Sequence, residues 1–213
     1  MTRSEALQRI TQGVSRFQKE IYPERRKLFD RLRSGQEPLA LFITCADSRV
    51  VPNFLTQTDP GEMFVERNPG NLVPPYSSFV GGVTASIEYA MIALRVPLII
   101  ICGHSDCGVM KAVAEPERAS GMPGVQEWMR HALPARERLL RESSGRVDQS
   151  ALARLTEYNV LTQMENLKTH PSVASRLAKD EVEIHGWIYS IADGHVSAID
   201  PLTGCFEDLL TGC

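Results

Sequence analysis

The sequence contains no run of eighteen or more apolar residues; its longest, Val96 to Cys102, has the length of a strand and is too short to cross a bilayer. Nor does either sign of charge dominate. A net charge of -3 and a pI near 6.0 give no basis for binding nucleic acid or an anionic membrane. The opening stretch, MTRSEALQRITQGVSRF, lacks the apolar segment and small-residue cleavage site of a secretory signal. Its Arg3, Arg9 and Arg16 fall on a helical pattern, but Glu5 and Glu20 argue against a transit peptide, so the cytoplasm is the expected compartment. Repeats, low-complexity stretches and long linkers are all missing. Cysteine is scarce and odd in number: Cys45, Cys102, Cys107, Cys205 and Cys213 show no paired spacing. That argues against a disulfide framework and, in a reducing compartment, for metal binding or catalysis.

What the chain does have is apolar content, 43% of 213 residues, sufficient for the core of one α/β domain with an added arm. Residues 1–34 read as a helical arm and 35–213 as the domain. In the arm, Leu7, Ile10, Val14 and Phe17 recur at three- and four-residue steps, and a second helical stretch follows Pro23. That apolar stripe needs cover from the core or from a neighbouring subunit. Leu39 to Thr44 is a continuous apolar strand, as expected in a parallel sheet buried on both faces. Met63 to Glu66 is a second, short strand, GGVTASIEYAMIALRV a helix buried along one side, and PLIIICG the central strand. Met110 to Glu142 reads as helix broken at Pro116, Pro123 and Pro134, and Gly145 to Asp148 as a polar turn. Ala151 to Asn166 and Pro171 to Lys179 are further helices. Glu181 to Ile191 and Val196 to Ile199, joined by ADG, form a hairpin that places an antiparallel strand at the sheet edge. The expected fold class is therefore α/β, with a mostly parallel central sheet flanked by helices and an N-terminal helical arm.

Two of the apolar strands end in chemistry. ITCADSRVVP places Cys45, Asp47 and Arg49 at alternate positions, and LIIICGHSDCG brings His104 and Cys107. In an open α/β sheet, ligands gather at the carboxyl ends of the strands, beside a topological switch. Cys45, His104 and Cys107 would meet there, and two thiolates with one imidazole favour Zn²⁺, one per subunit. Three protein ligands leave a fourth position for water or substrate, which marks a catalytic site. Spacing alone also admits a closed structural site with Asp47 as fourth ligand. On an extended chain Cys45, Asp47 and Arg49 point to one side, so the guanidinium can grip Asp47 in a bidentate pair that keeps it ionised and off the metal. Asp47 would then accept a hydrogen bond from a zinc-bound hydroxide, since zinc brings the pKa of bound water from about 16 down to about 7.

C-x-D-x-R followed by H-x-x-C resembles the β-class carbonic anhydrases. The likeness extends through PGEMFVERNPGNLVPPY, SIEYA, CGHSDCG, YNVLTQMENLKTHPSV and HGWIYSI, and covers roughly residues 36 to 200. It implies zinc on Cys45, His104 and Cys107, the dyad Asp47–Arg49, and reversible hydration of CO₂ to bicarbonate. It also implies a homodimer, embraced by the N-terminal arm and often doubled into tetramers or larger, with sites at the subunit interface. The plant-like subgroup lines its CO₂ pocket with residues that correspond to Gln36, Phe64 and Tyr89, one or more of them from the partner chain. Gly108, just after Cys107, lets a helix start close to the metal. In a second subgroup bicarbonate drives the aspartate onto zinc, with a tryptophan three residues before the first cysteine. This chain has Phe42 there, although Arg67 and Tyr189 could match other effector residues, so the constitutively open form is expected. Cys102 reads as core. A cysteine-dependent phosphatase fits poorly, because its loop needs more than three residues between Cys45 and Arg49. Hydrolysis of CS₂ or COS by the same metal set, and a zinc-stabilised interaction domain, remain as rivals.

Overall fold

The computed structural model describes residues 1–77, 80–142 and 149–211. The expected turn at 145–148 and Cys213 lie outside them. The chain divides into two compact units, 1–37 and 38–213.

In the first unit, α1 (Arg3–Arg16) opens with a reciprocal cap. The Thr2 hydroxyl accepts from the Glu5 N–H at 3.2 Å, and the Glu5 carboxylate accepts from the Thr2 N–H at 2.6 Å. A π-helical stretch (Phe17–Ile21) leads into the short α2 (Tyr22–Glu24) and then α3 (Arg26–Leu32). Tyr22 stacks on Phe29 with ring centroids 4.8 Å apart, and Phe17 meets both edge-on. Leu7, Ile10 and Val14 stay exposed along α1.

The second unit runs β1 (Ala40–Cys45), α4 (Pro52–Thr56), β2 (Met63–Asn68), α5 (Gly82–Ile92), β3 (Leu98–His104) and α6 (Gly108–Ala114). It continues with α7 (Pro123–Trp128), α8 (Leu133–Glu142), α9 (Gln149–Lys168), α10 (Pro171–Leu177), β4 (Glu183–Tyr189), β5 (Val196–Ile199) and β6 (Phe206–Asp208). The sheet order is β2-β1-β3-β4-β5-β6; the first four strands are parallel and the last two antiparallel to their neighbours. The mostly parallel α/β architecture is the expected one. The hairpin pairs as read, but β5 is not the edge, because β6 adds a sixth strand outside it. Its sequence, FED, is too short for alternation to register. Pro116 and Pro123 open short helices, whereas Pro134 sits in the first turn of α8, where a missing N–H costs nothing.

The continuous apolar runs are buried on both faces. Leu41, Ile43, Ile99 and Ile101 pack with Val83, Ile87 and Met91 of α5 and Val160 of α9. Ala40, Phe42, Ile100 and Cys102 form a cluster of their own, with Trp187 edge-on to Phe42 at 6.0 Å. Two glycines bring α9 down onto the sheet. A Cβ on Gly103 would lie 2.9 Å from Val160 Cγ2, and one on Gly186 would lie 2.6 Å from Met164 Sδ and 2.9 Å from Val160 Cγ1. The chain leaves β1 for β2 on one side and β3 on the other, so the switch point lies between the carboxyl ends of β1 and β3.

Candidate metal centre

Cys45 ends β1, His104 ends β3, and Cys107 caps the start of α6. All three are buried, and their ligating atoms lie within 4.8 Å of one another, the one such buried Cys/His group among the described residues. The two sulfurs are 4.0 Å apart. Sulfurs about 2.3 Å from a common tetrahedral ion sit roughly 3.8 Å apart, so the pair is set for one metal. His104 Nδ1 lies 2.8 Å from the Ser105 carbonyl oxygen, which only accepts; Nδ1 therefore carries the hydrogen and Nε2 presents its lone pair. That Nε2 is buried and has no hydrogen-bond partner among the described residues. A buried lone pair without a donor is costly unless a cation takes it.

Electrostatics point the same way. The Cys45 thiol is shifted down by its contact with Cys107, against the opposing effect of burial, with help from His104 and from the backbone N–H groups of Gly70 and Asp47. Cys107 is shifted up, by the contact with Cys45 and by burial. Two thiolates this close cannot both ionise without a positive charge between them. Cys102, by contrast, is pushed up to about 12 by burial and packs in the separate cluster with Phe42, as read.

The dyad forms by a different route from the one the sequence suggests. After Cys45 the strand ends, and Asp47 to Val50 make a turn closed by the Val50 N–H donating to the Asp47 carbonyl at 3.0 Å. The alternation of an extended chain is therefore absent. The turn still delivers the fork: Arg49 Nε donates to Asp47 Oδ1 at 2.9 Å and Nη2 to Oδ2 at 2.7 Å. These bonds hold the Asp47 carboxyl well below the usual carboxylate range. Asp47 Oδ2 is 4.0 Å from His104 Nε2, so the acid borders the ligand group without joining it.

Several partners escaped sequence reasoning. Asp106, in the left-handed conformation at φ 58°, accepts from Arg49 Nη1 at 3.0 Å and pairs with Lys111, completing an alternating chain Asp47–Arg49–Asp106–Lys111. The D of CGHSDCG was the available signal. Arg67, weighed only as an effector residue, donates to the Cys45 carbonyl at 3.2 Å and to the Asp47 carbonyl at 2.7 Å, bracing the turn.

The expected pocket residues are more dispersed. Gly108 opens α6, and a Cβ there would meet nothing within 4 Å, so neighbouring atoms do not require glycine and the space above it is open. Phe64 pairs with Leu41 in mid-strand, four residues before the Asn68 that pairs with Cys45. Its ring lies 5.8 Å from that of Tyr89, which is 51% exposed. Neither is gathered with the ligands inside this chain. Gln36 belongs to the N-terminal unit, where it is exposed.

The carbonic anhydrase family matches residues 40–196. A carbonic anhydrase of Pseudomonas aeruginosa is 45% identical over 201 residues, covering 94% of this chain and 90% of that one. The solved structure of the β-carbonic anhydrase CcaA superposes with a TM-score of 0.92 at 39% identity, over 96% of this chain and 92% of its own. Tetrameric β-carbonic anhydrases from Sordaria macrospora reach a TM-score of 0.83 at 26% identity, over 95% and 99%. No helix among the described residues is long and apolar enough to cross a membrane. With its ligand-ready Cys-His-Cys group at the sheet's switch point, the chain belongs to the β-class carbonic anhydrases.

Proposed function

We propose that this enzyme hydrates CO₂ reversibly to bicarbonate and a proton using one zinc ion per subunit, held by Cys45 Sγ, His104 Nε2 and Cys107 Sγ. The observation that carries the reading is the unpartnered, buried Nε2 facing two sulfurs 4.0 Å apart, a donor set suited to zinc. When bound there, zinc would lower the pKa of water to about 7 and supply hydroxide at neutral pH. The chain's own residues do the rest. Asp47, with both oxygens taken by Arg49, stays ionised and accepts a hydrogen bond in front of the ligands, orienting the nucleophile. Arg49 keeps the carboxylate from turning onto the metal, which supports the open form and not a closed structural site. Asp106 and Arg67 hold the guanidinium and the turn in register.

Gln36, Phe64, Tyr89 and Gly108 complete the substrate pocket in this reading. The Gln36 amide binds a substrate oxygen, Phe64 and Tyr89 form apolar walls, and Gly108 leaves room beside the ligands. Because Phe64 and Tyr89 lie away from their own chain's ligands, a second copy of the chain supplies them, and the enzyme works as a homodimer or a larger even assembly. The exposed stripe of α1 supports an arm that embraces the partner. Ligand thiols must stay reduced, which suits the cytoplasm. Stopped-flow CO₂ hydration across about pH 6.5 to 9, a range bracketing a water pKa near 7, with metal content measured on the same sample, tests the reading. Activity that is high above about pH 7.5 and falls only a few-fold below it, along one titration near pH 7, with one zinc per chain, is expected. A metal-free but fully active sample, or a steep collapse below about pH 8, would overturn the reading or its open form respectively.

A further inference from the structure

The segment YNVLTQMENLKTHPSV is not accounted for by the ligands or the dyad. Its polar residues Asn159, Gln163 and Asn166 fall on one face of α9, and the first two are fully buried. Buried amides on a helix are expensive unless each group is partnered, and here the partners converge on one loop. Gln163 Oε1 accepts from the Val73 N–H at 2.8 Å, and Asn166 Nδ2 donates to the Val73 carbonyl at 2.9 Å. Gln163 Nε2 donates to Asn159 Oδ1 and to the His131 carbonyl, both at 2.9 Å. Asn159 Nδ2 then donates to the Gly70 carbonyl at 3.1 Å.

Gly70 is the end of the ladder and the start of the metal centre. Its N–H points at Cys45 Sγ from 3.3 Å. Its φ is +81°, and a Cβ would lie 2.8 Å from Val109 Cγ1, so this close approach needs glycine. Asn71 follows at φ 50°. Two consecutive left-handed residues have little local reason to keep one orientation, whereas a carbonyl gripped by Asn159 does.

We propose that Asn159, backed by Gln163, is a positioning residue of the metal centre: it fixes the Gly70 peptide so that its N–H stays on Cys45 Sγ and moderates the charge this sulfur donates to the bound metal. The proposal rests on the metal reading above. A thiolate that accepts a hydrogen bond is a weaker donor, so the metal stays more electrophilic. With two thiolates in the set, that moderation matters.

Cobalt(II) bound in place of zinc reports sulfur donation directly. Asn159→Leu and Asn159→Ala are expected to fold, to show a sulfur-to-cobalt charge-transfer band moved to lower energy, and to lose about 10- to 100-fold in kcat/KM. Asn166→Leu, which removes the bonds to the Val73 carbonyl and to Gln163 Oε1 at 3.2 Å but none to Asn159 or Gly70, is expected to keep the wild-type band. An unmoved band in folded Asn159 variants, or an equal shift in Asn166→Leu, would overturn the proposal. If the position-159 variants do not fold, Gln163→Met carries the same test. If every ladder variant fails to fold, the ladder belongs to the core alone and the proposal falls. Wild-type protein that takes up no cobalt, or takes it up without a sulfur band, would instead sink the metal reading itself.

Discussion

Placing a methyl group on Gly103 tests whether the close seat of α9 on the sheet holds His104 in place. A Cβ there would stand 2.9 Å from Val160 Cγ2 and 3.2 Å from Thr156 Cγ2, the first about half an ångström short of ordinary contact. Both neighbours are β-branched and stiff at χ1 on a helix, so neither side chain can swing away and the helix itself must lift. Overpacking of this kind costs about 1–3 kcal/mol. The reduced freedom of the unfolded chain returns roughly 0.4–1 kcal/mol, leaving a net loss centred at about 1.3 kcal/mol. For a chain of this size that lowers Tm by about 3–5 °C. Thermal unfolding at matched protein concentration measures it, since assembly makes Tm concentration-dependent. Val160→Ala alone removes buried methyls and costs about 2 kcal/mol. Combined with Gly103→Ala, the new methyl enters the vacated space, and the double variant should be more stable than the sum of the two losses by about 1 kcal/mol. An unchanged Tm in Gly103→Ala, or strict additivity in the double variant, would refute the packing argument.

Arg49→Lys keeps the charge but loses the fork, and kcat/KM should fall on the order of 10²-fold with metal content unchanged by elemental analysis; parallel loss of metal would contradict the assigned role. Stripping the metal with a chelator should expose Cys45 and Cys107 to a thiol reagent and lower Tm. Cys102→Ala should retain one metal per chain while Cys45→Ala and Cys107→Ala do not. Burial lowers the pKa of His170, against a raising contribution from its contact with the Pro74 carbonyl, and burial followed by nearby Arg130 lowers that of His131. Below about pH 6.5 the unfolded chain then binds more protons than the folded one, so stability is full above that pH and declines as pH falls. His170→Asn should flatten this decline by up to about 1.4 kcal/mol per pH unit, read from urea midpoints between about pH 5 and 7; parallel slopes would show that His170 is not responsible.

The strands and the Cys-His-Cys group were legible because each is written locally. An apolar run followed by Cys45, or by His104 and Cys107, carries both burial and chemistry within a few residues. The turn at Asp47–Val50 was not, since Cys-x-Asp-x-Arg reads equally as extended chain until the end of β1 is known. Strand β6 hides because three residues with one apolar side chain carry no period. The amide ladder is the hardest to read: Asn159 and Gly70 stand 89 residues apart, and neither asparagine nor glycine announces a partner. Asp106 likewise gains its role from a left-handed backbone that brings it beside Arg49.

Cys45 and His104 sit on directly hydrogen-bonded strands, with Thr44 in register with Cys102. Their separation is therefore a lattice spacing, set by strand pairing and independent of the fifty-odd residues of crossover between them. Insertions or deletions within that crossover, outside the Asp47–Val50 turn, strand β2 and the Gly70 loop, should leave metal affinity intact as long as the pairing survives. A single-residue slip of β1 against β3 would displace the sulfur by about 3.3 Å and turn it to the opposite face, abolishing the centre outright. Variation among relatives is thus free to accumulate in loop length, while the frame of the two strands is not negotiable.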